Sequence, residues 1–276
     1  MKDSYFFHHT NSRFFKIFGD DSESFIQNLI TNDITKCSKD RIIYSCLLTP
    51  QGKFIADFFI FKQNNTYFFE TDKKFYENLL QKLKIYKLRS KINIEEEKNL
   101  FSYSIFNFDY NFSYLSKQSD PRNNNLGNKL ILKNEIELSN KNIKIIEETK
   151  YHEILILNNT PYSSIDLHEN KSLLLENNFE NLNAIDWEKG CYVGQEITAR
   201  MKYRALLKKK LYPLKIKKGE ASIDMELISN GKKIGEIKSI ANSYILAILN
   251  IEFVDELKKI TNIIKLDDAL MLEFLN

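Results

Sequence analysis

The sequence predicts an α+β fold in which helices cover a sheet, followed by a small C-terminal β-barrel. In the N-terminal third, the apolar periodicity follows the order strand, helix, three strands, helix, strand, which is typical of a sheet layered with helices. Near the C-terminus, several short strands alternate with glycine-containing turns, a pattern that indicates a barrel.

The N-terminal elements follow from local signals. Predicted strands cover residues 13–18, 42–48, 54–61, 66–70 and 88–94. A helix begins at Ser22, a plausible N-cap by residue type, and a second helix over 74–86 has apolar residues at helical spacing. The run Thr49-Pro50-Gln51-Gly52 predicts a hairpin turn, and Thr31-Asn32-Asp33 predicts a turn after the first helix.

The remaining chain predicts a helix and the barrel. The helix covers residues 147–157, and the barrel strands cover 208–216, 232–240, 244–251 and 269–275. We therefore expect one region at 1–206, with two subdomains, and a barrel domain at 207–276.

Composition and cysteine content limit the classes of function. A net charge of +3 in 276 residues favours no particular partner. The three cysteines show no close pairing, which suits a reducing, cytoplasmic setting and provides no metal site. No apolar stretch is long enough for a membrane helix, and no secretory signal is recognised, so we expect no membrane association.

The stretch Lys189-Gly190-Cys191-Tyr192-Val193-Gly194-Gln195-Glu196 combines the most varied chemistry in the chain. Cys191 is either a small buried hydrophobe or a partly exposed reactive thiol, activated by a nearby lysine and by loop amides. Gly190 and Gly194 are either turn formers or points of close approach to a ligand. Gln195 and Glu196 either contact a ligand or cap a helix that runs through Ile197.

Several charged residues outside this stretch also have two interpretations. Arg200, Lys202 and Arg204 would share one face of a strand and bind an anion, or they form an ordinary solvated face. Asp57 lies in an apolar strand and either contacts a polar ligand edge or pairs with an arginine. Glu176 is either a ligand contact or a surface charge on a helix.

The Lys189–Glu196 stretch resembles the YgfZ/GcvT-like folate-binding proteins, which include the CAF17-like 4Fe–4S cluster assembly and insertion proteins. These are relatives of the glycine-cleavage aminomethyltransferase. The K-G-C-Y-x-G-Q-E pattern followed by Arg200 is similar to the YgfZ branch. Other segments agree in order across nearly the whole chain: residues 19–33, 48–57, 88–91, 120–127 and 231–239.

The resemblance implies GcvT-like, ferredoxin-type α/β domains around a central tetrahydrofolate pocket, closed by the barrel. It implies an accessory role in assembling or repairing 4Fe–4S proteins, including Fe–S enzymes of tRNA modification, with folate and the Fe–S machinery or its clients as partners. Cys191 is then the functional thiol. The cofactor-binding residues implied are Asp57, Glu176, Lys189, Gly190, Tyr192, Gly194, Gln195, Glu196 and Arg200.

Two alternatives remain open. The chain could be a folate-dependent aminomethyltransferase, although Ala56 stands before Asp57 where such enzymes tend to show paired aspartates. An RNA-binding module using the basic 200–210 stretch ranks last, because the cations are few and no aromatic stacking platform accompanies them. Whether the protein is an enzyme is left open.

Overall fold

The structure is a computed structural model that describes residues 5–107, 113–136, 144–204, 206–267 and 269–275. By internal packing these residues form two compact units. The first comprises Met1–Glu147 and Glu180–Gln195, and the second comprises Glu148–Phe179 and Glu196–Asn276. The predicted division into 1–206 and 207–276 stays a prediction.

The first unit contains two five-stranded sheets. Its strands are β1 (Tyr5–His8), β2 (Ser12–Phe18), β3 (Ile43–Leu48), β4 (Phe54–Gln63), β5 (Thr66–Asp72), β6 (Asn93–Glu97), β7 (Phe101–Phe106), β8 (Ser116–Ser119), β9 (Asn128–Leu132) and β10 (Lys144–Ile145). Its helices are α1 (Ser22–Gln27) and α2 (Lys73–Lys87), with 3-10 turns at Ile34–Lys36 and Asn124–Leu126. The strand orders are β3-β4-β5-β2-β6 and β10-β1-β7-β9-β8.

The sheet that carries β3 and β4 is built as the periodicity predicts. All six residues of β3 are buried. In α2 the buried positions Phe75, Leu79, Leu80 and Leu83 form the expected apolar face. The side chain of Asp72 caps α2 by accepting the Lys74 N–H. Packing of this face against the sheet positions the β3–β4 hairpin.

Some sequence predictions for this unit are wrong in detail. Asp21, not Ser22, occupies the N-cap position of α1. The strand predicted over 88–94 begins only at Asn93, because Leu88 ends α2 with φ of 43° and the chain turns before it can pair. Strand β1 was missed, since a strand of only four residues gives little periodic signal.

The second unit is a curled sheet with helices. Its helices are α3 (Glu148–Leu157), α4 (Ser163–Asp166), α5 (Gln195–Tyr203), which starts on the last residue of the first unit, and α6 (Ile251–Lys258). Its strands are β11 (Lys209–Lys218), β12 (Glu226–Ser229), β13 (Lys232–Ala241), β14 (Tyr244–Asn250), β15 (Ile263–Lys265) and β16 (Met271–Phe274), in the order β12-β13-β14-β11-β16-β15.

The curl of this sheet confirms the predicted barrel-like C-terminal region as a half-barrel. Its edge strands approach each other, since the Ser229 hydroxyl donates to the Lys265 carbonyl at 3.3 Å and the Asp267 N–H donates to the Ile228 carbonyl at 3.1 Å. The concave face encloses fully buried aliphatic side chains, among them Leu214. Apolar residues alternating along each strand drive this closure.

Within the described residues, no helix is both long and apolar enough to cross a membrane.

We predict that His152 makes the second unit sensitive to acid. Its imidazole is buried in α3, and its Nε2 has no hydrogen-bond partner among the residues that the structure describes. Burial lowers its pKa from 6.5 to about 4, against the attraction of Glu148. The folded state therefore binds fewer protons than the unfolded state between those pH values. Stability present above pH 6.5 is then lost as pH falls towards 4, by about 3 kcal/mol.

The measurement is the free energy of unfolding as a function of pH in wild type and His152→Gln. In His152→Gln, the free energy of unfolding should not show the decrease between pH 6.5 and 4 that is due to this imidazole. His168→Gln, at an exposed position, should show the same decrease as wild type. Identical pH profiles for wild type and His152→Gln would contradict the assignment.

Candidate functional site

The ammonium of Lys189 fastens the Lys189–Glu196 loop to the end of α1. Its Nζ donates to the backbone carbonyls of Gln27 at 2.7 Å, Ile30 at 2.7 Å and Asn32 at 2.8 Å. An ammonium has three N–H donors, so these three carbonyls use all of them. Any direct hydrogen bond from Lys189 to a ligand would have to replace one of them. Its predicted ligand role stays a prediction, but the contact it makes here is structural.

The surroundings of Lys189 compensate its burial only in part. Burial lowers the pKa of Lys189 from 10.5 to about 8, while the carboxylates of Asp33 and Asp186 act in the opposite direction. The ring of Tyr192 lies 5.2 Å from the Nζ, within cation–π distance. Asp186 is itself paired with the partly exposed Lys36, so charges of opposite sign alternate from Lys36 through Asp186 to Lys189.

The turn at Thr31-Asn32-Asp33 holds the chain just before the loop. The Thr31 hydroxyl donates to the Ala184 carbonyl at 2.6 Å, and the Asp186 N–H donates to the Thr31 carbonyl at 3.0 Å. The Asn32 amide donates to the Asn183 carbonyl at 2.7 Å. Sequence reasoning identified these residues only as turn formers, and their partners lie some 150 residues away.

Gly194 joins the loop to the β3–β4 hairpin. Its φ is +85°, and a Cβ here would lie 2.5 Å from the Thr49 carbonyl oxygen and 2.8 Å from the Leu48 Cβ. Both the backbone conformation and the lack of space exclude a larger side chain. The fold therefore accounts for a glycine here, because it lets the loop pack against the hairpin turn. A ligand role for Gly194 stays a prediction.

Cys191 lies on the exposed part of this fixed loop. All three cysteines are described and free; Cys37 and Cys46 are buried, whereas Cys191 is exposed. Burial raises the pKa of the Cys37 thiol to about 12 and raises that of Cys46 as well. The interpretation of Cys191 as a buried hydrophobe is thus wrong, while its reactivity stays a prediction.

The neighbours of Cys191 differ sharply in environment. Gly190 is exposed, and a Cβ there would meet nothing within 4 Å. Tyr192 is buried, its hydroxyl has no hydrogen-bond partner among the described residues, and burial raises its pKa. The thiol therefore stands between an open backbone position and a buried ring that anchors the loop.

Helix α5 places the polar residues that follow. Gln195 and Glu196 open the helix, as the capping alternative predicts, and Glu196 accepts a hydrogen bond from Arg200 one turn later. Both side chains of this pair are largely exposed. The interpretation of Arg200, Lys202 and Arg204 as one strand face is wrong. Residues two apart on a helix differ by about 200° in direction, so Lys202 points away from Arg200.

Asp57 lies half-buried on β4 and contacts a tyrosine. Its Oδ2 accepts a hydrogen bond from the Tyr44 hydroxyl at 2.5 Å, across the β3–β4 pair. Burial and this carboxylate raise the pKa of Tyr44. A ligand role for Asp57 stays a prediction.

Glu176 lines a cavity that lies entirely within the second unit. The cavity has a volume of about 590 Å³, which is in the range of small-molecule sites. Its basic lining residues are His168, Lys171, Lys208, Lys209 and Lys238. Of its two carboxylates, Glu236 is paired with Lys238, which leaves the lining with an excess of positive charge.

Asn177 is a residue of this lining that sequence reasoning missed. It is 1% exposed, and within the described part of the chain its Oδ1 has no hydrogen-bond partner. An asparagine in a polar run carries no sequence signal for such a position. In the described part of the chain, no group of three or more His, Cys, Asp or Glu side chains is arranged to hold a metal ion.

We predict that Lys189→Met destabilises the first unit by about 2–4 kcal/mol, because it leaves three carbonyls at the end of α1 without their donor. Denaturant unfolding checks this, with Lys39→Met, at an exposed lysine, as the matched control. Equal free energies of unfolding for the two variants would show that the Lys189 ammonium is not needed for stability.

Comparison with known proteins agrees with this architecture. Residues 4–98 match the family described as the GCVT N-terminal domain. Among solved structures, glycine cleavage system aminomethyltransferase T from Bartonella henselae matches with a TM-score of 0.76 at 9% identity. The match covers 99% of this chain and 85% of that one. At this identity the likeness concerns the fold, and it confirms the expected GcvT-like fold.

Three curated relatives are similar in sequence. "Iron-sulfur cluster assembly factor IBA57 homolog, mitochondrial" of Neurospora crassa is 28% identical, over 74% of this chain and 52% of that protein. The human protein "Iron-sulfur cluster assembly factor IBA57, mitochondrial" is 23% identical, over 85% and 74%. "tRNA-modifying protein YgfZ" of Buchnera aphidicola is 29% identical, over 86% and 80%. The chain thus spans about half the length of the Neurospora relative.

These likenesses agree with the pattern of residues 189–196, and the chain resembles the YgfZ/GcvT-like proteins in sequence and in fold.

Proposed function

We propose that this protein is an accessory factor for the assembly or repair of 4Fe–4S proteins, including Fe–S enzymes of tRNA modification, and that Cys191 is its working group. The observation that carries the proposal is an exposed thiol on a loop fixed by the buried Lys189 ammonium and by Gly194. Relatives named as Fe–S assembly factors and as a tRNA-modifying protein support it.

The way in which the loop is anchored supports this role. A thiolate that must meet a cluster or a client cysteine reacts only if it is accessible and correctly placed. The loop meets both requirements, because its ends are tied to α1 and to the hairpin while Gly190 and Cys191 remain exposed. The partners are accordingly the Fe–S machinery or its client proteins. The three free cysteines suit a reducing compartment, which supports the expected cytoplasmic location.

A tetrahydrofolate is the proposed cofactor, and the volume and basic lining of the second unit's cavity support this proposal. When bound, tetrahydrofolate supplies a reduced pteridine that can carry a one-carbon unit. Glu176 would accept N–H groups of the pterin edge, and the lysines of the lining would attract the carboxylates of the glutamate tail.

A folate-dependent aminomethyltransferase of the glycine-cleavage type is the second candidate, because the GCVT match and the fold are shared with such an enzyme. It has less support, since a transferase needs no thiol at position 191 and Asp57 is not part of an aspartate pair. Formation of methylene-tetrahydrofolate from aminomethylated lipoyl carrier protein would favour it instead.

The role of Cys191 is tested in two steps. On the folded protein, a small alkylating reagent should label one thiol per chain, and Cys191→Ala should abolish labelling because Cys37 and Cys46 are buried. In a strain lacking the gene, Cys191→Ala should fail to restore the activity of 4Fe–4S enzymes, whereas wild type should restore it. Full rescue by a stably folded Cys191→Ala chain would defeat the proposed role of the thiol.

Folate binding is tested by calorimetry with tetrahydrofolate. We expect saturable heat that weakens at least tenfold in Glu176→Gln, because a charged acceptor in the cavity is removed. Exposed Glu180→Gln, in the neighbouring stretch, serves as the control and should bind as wild type does. The absence of saturable binding to wild type would remove folate from the proposal without affecting the thiol.

A further inference from the structure

The turn after α2 places a leucine where the backbone disfavours one. Leu88 has φ of 43° and ψ of −111°, and the Ser90 N–H donates to the Lys87 carbonyl at 2.8 Å, which closes a tight turn around it. These angles are close to those of the first central residue of a type II′ turn, a position dominated by Gly, Asn and Asp. For a branched side chain this conformation is strained, so the leucine costs stability that a glycine would not.

The fold does not bury the side chain of Leu88 in return. It is 87% exposed, and the neighbouring Ile85, in the last turn of α2, is 58% exposed. A strained backbone that holds an apolar side chain in water stabilises no part of this chain. Such an outlier points to a function, and for an apolar side chain the fitting function is a contact with another molecule.

Positive charge surrounds these two side chains. Residues 84–91 contain no carboxylate and four cations, namely Lys84, Lys87, Arg89 and Lys91. Together with Ile85 and Leu88, these cations form what we call the Leu88 surface, which lies wholly within the first unit. Its charge is complementary to a partner that carries carboxylates.

The backbone of the Leu88 surface is held in place. The Asp21 carboxylate accepts the Lys91 N–H at 2.7 Å, and a Cβ at Gly19 would lie 2.4 Å from the Lys91 carbonyl oxygen. The turn therefore packs directly on the segment before α1. A fixed apolar projection suits a shaped pocket on a protein. A bilayer requires no fixed shape, and a nucleic-acid backbone requires no apolar side chain.

We propose that the Leu88 surface is a docking site for an acidic protein, with Leu88 as the anchor that enters an apolar pocket of that partner. The surrounding cations pair with carboxylates at the rim of the pocket, where charges set the orientation of the two proteins. The inference rests on the proposed function and adds a place of contact to it: the acidic protein is an Fe–S carrier or a 4Fe–4S client.

Leu88→Gly removes the anchor without harming the fold. Because glycine accommodates a positive φ, the variant should unfold at a temperature equal to or above that of wild type. In a strain lacking the gene, it should restore at most about a third of the 4Fe–4S enzyme activity that wild type restores, since losing an interface anchor weakens binding about tenfold or more. The matched control, Ile260→Gly, removes an 86% exposed side chain from the second unit and should restore activity fully.

Photocrosslinking identifies what touches the Leu88 surface. Ile85→benzoylphenylalanine leaves Leu88 in place, and its adducts in cells are identified by mass spectrometry. We expect the adduct to be an acidic Fe–S carrier or a 4Fe–4S client. Its yield should fall about tenfold or more when Leu88→Gly or Arg89→Glu is added, and should not change with Lys259→Glu, at an exposed position of the second unit.

Several results would overturn this inference and leave the proposed function intact. They are full restoration of activity by Leu88→Gly, the absence of an adduct, and an adduct yield that Leu88→Gly does not change. An adduct with a second copy of this chain or with a protein outside Fe–S metabolism would also overturn it, as would Leu88-dependent sedimentation with vesicles of anionic phospholipid. If wild type itself restores no 4Fe–4S enzyme activity, the proposed function fails and this inference fails with it.

Discussion

The buried ammonium of Lys189 is the interaction on which the candidate site depends. Removing a charge from water is costly, and it is tolerated only where hydrogen bonds replace the lost hydration. Three backbone carbonyls do so, that of Gln27 at the end of α1 and those of Ile30 and Asn32 just after it. The Gln27 carbonyl thereby gains a donor that the helix cannot supply beyond its last turn. The ammonium and the carbonyls thus satisfy each other's hydrogen bonding. Without this contact, both would be buried with hydrogen bonds unmade.

These hydrogen bonds explain why the loop can expose a thiol and still keep a fixed conformation. Its first part is held by Lys189 and by the Thr31 contacts, and its end is held where Gly194 packs on the hairpin. Between these anchors the backbone at Gly190 and Cys191 faces solvent. Reactive groups on otherwise rigid frames lose less entropy when they meet a partner, so fixed ends and an exposed middle suit a thiol that acts on other proteins.

The two units carry different parts of the proposed chemistry. The first holds the thiol loop, while the second holds a cavity with Glu176 and an excess of lysines.

Local sequence patterns were enough to predict much of the secondary structure of this protein. The buried run of β3, the apolar face of α2 and the short strands of the second unit follow from periodicity, because burial of one face repeats every two or 3.6 residues. The motif around Cys191 drew attention to the right loop, since glycines, a thiol and charges seldom occur so close together.

The folded chain was needed for the roles of individual side chains. Whether Cys191 is exposed, which carbonyls Lys189 meets and why Gly194 has no side chain all depend on segments roughly 145 to 160 residues distant along the chain. Hydrogen bonds and steric contacts between such distant segments form only when the sheets have packed, so no local pattern of residues encodes them.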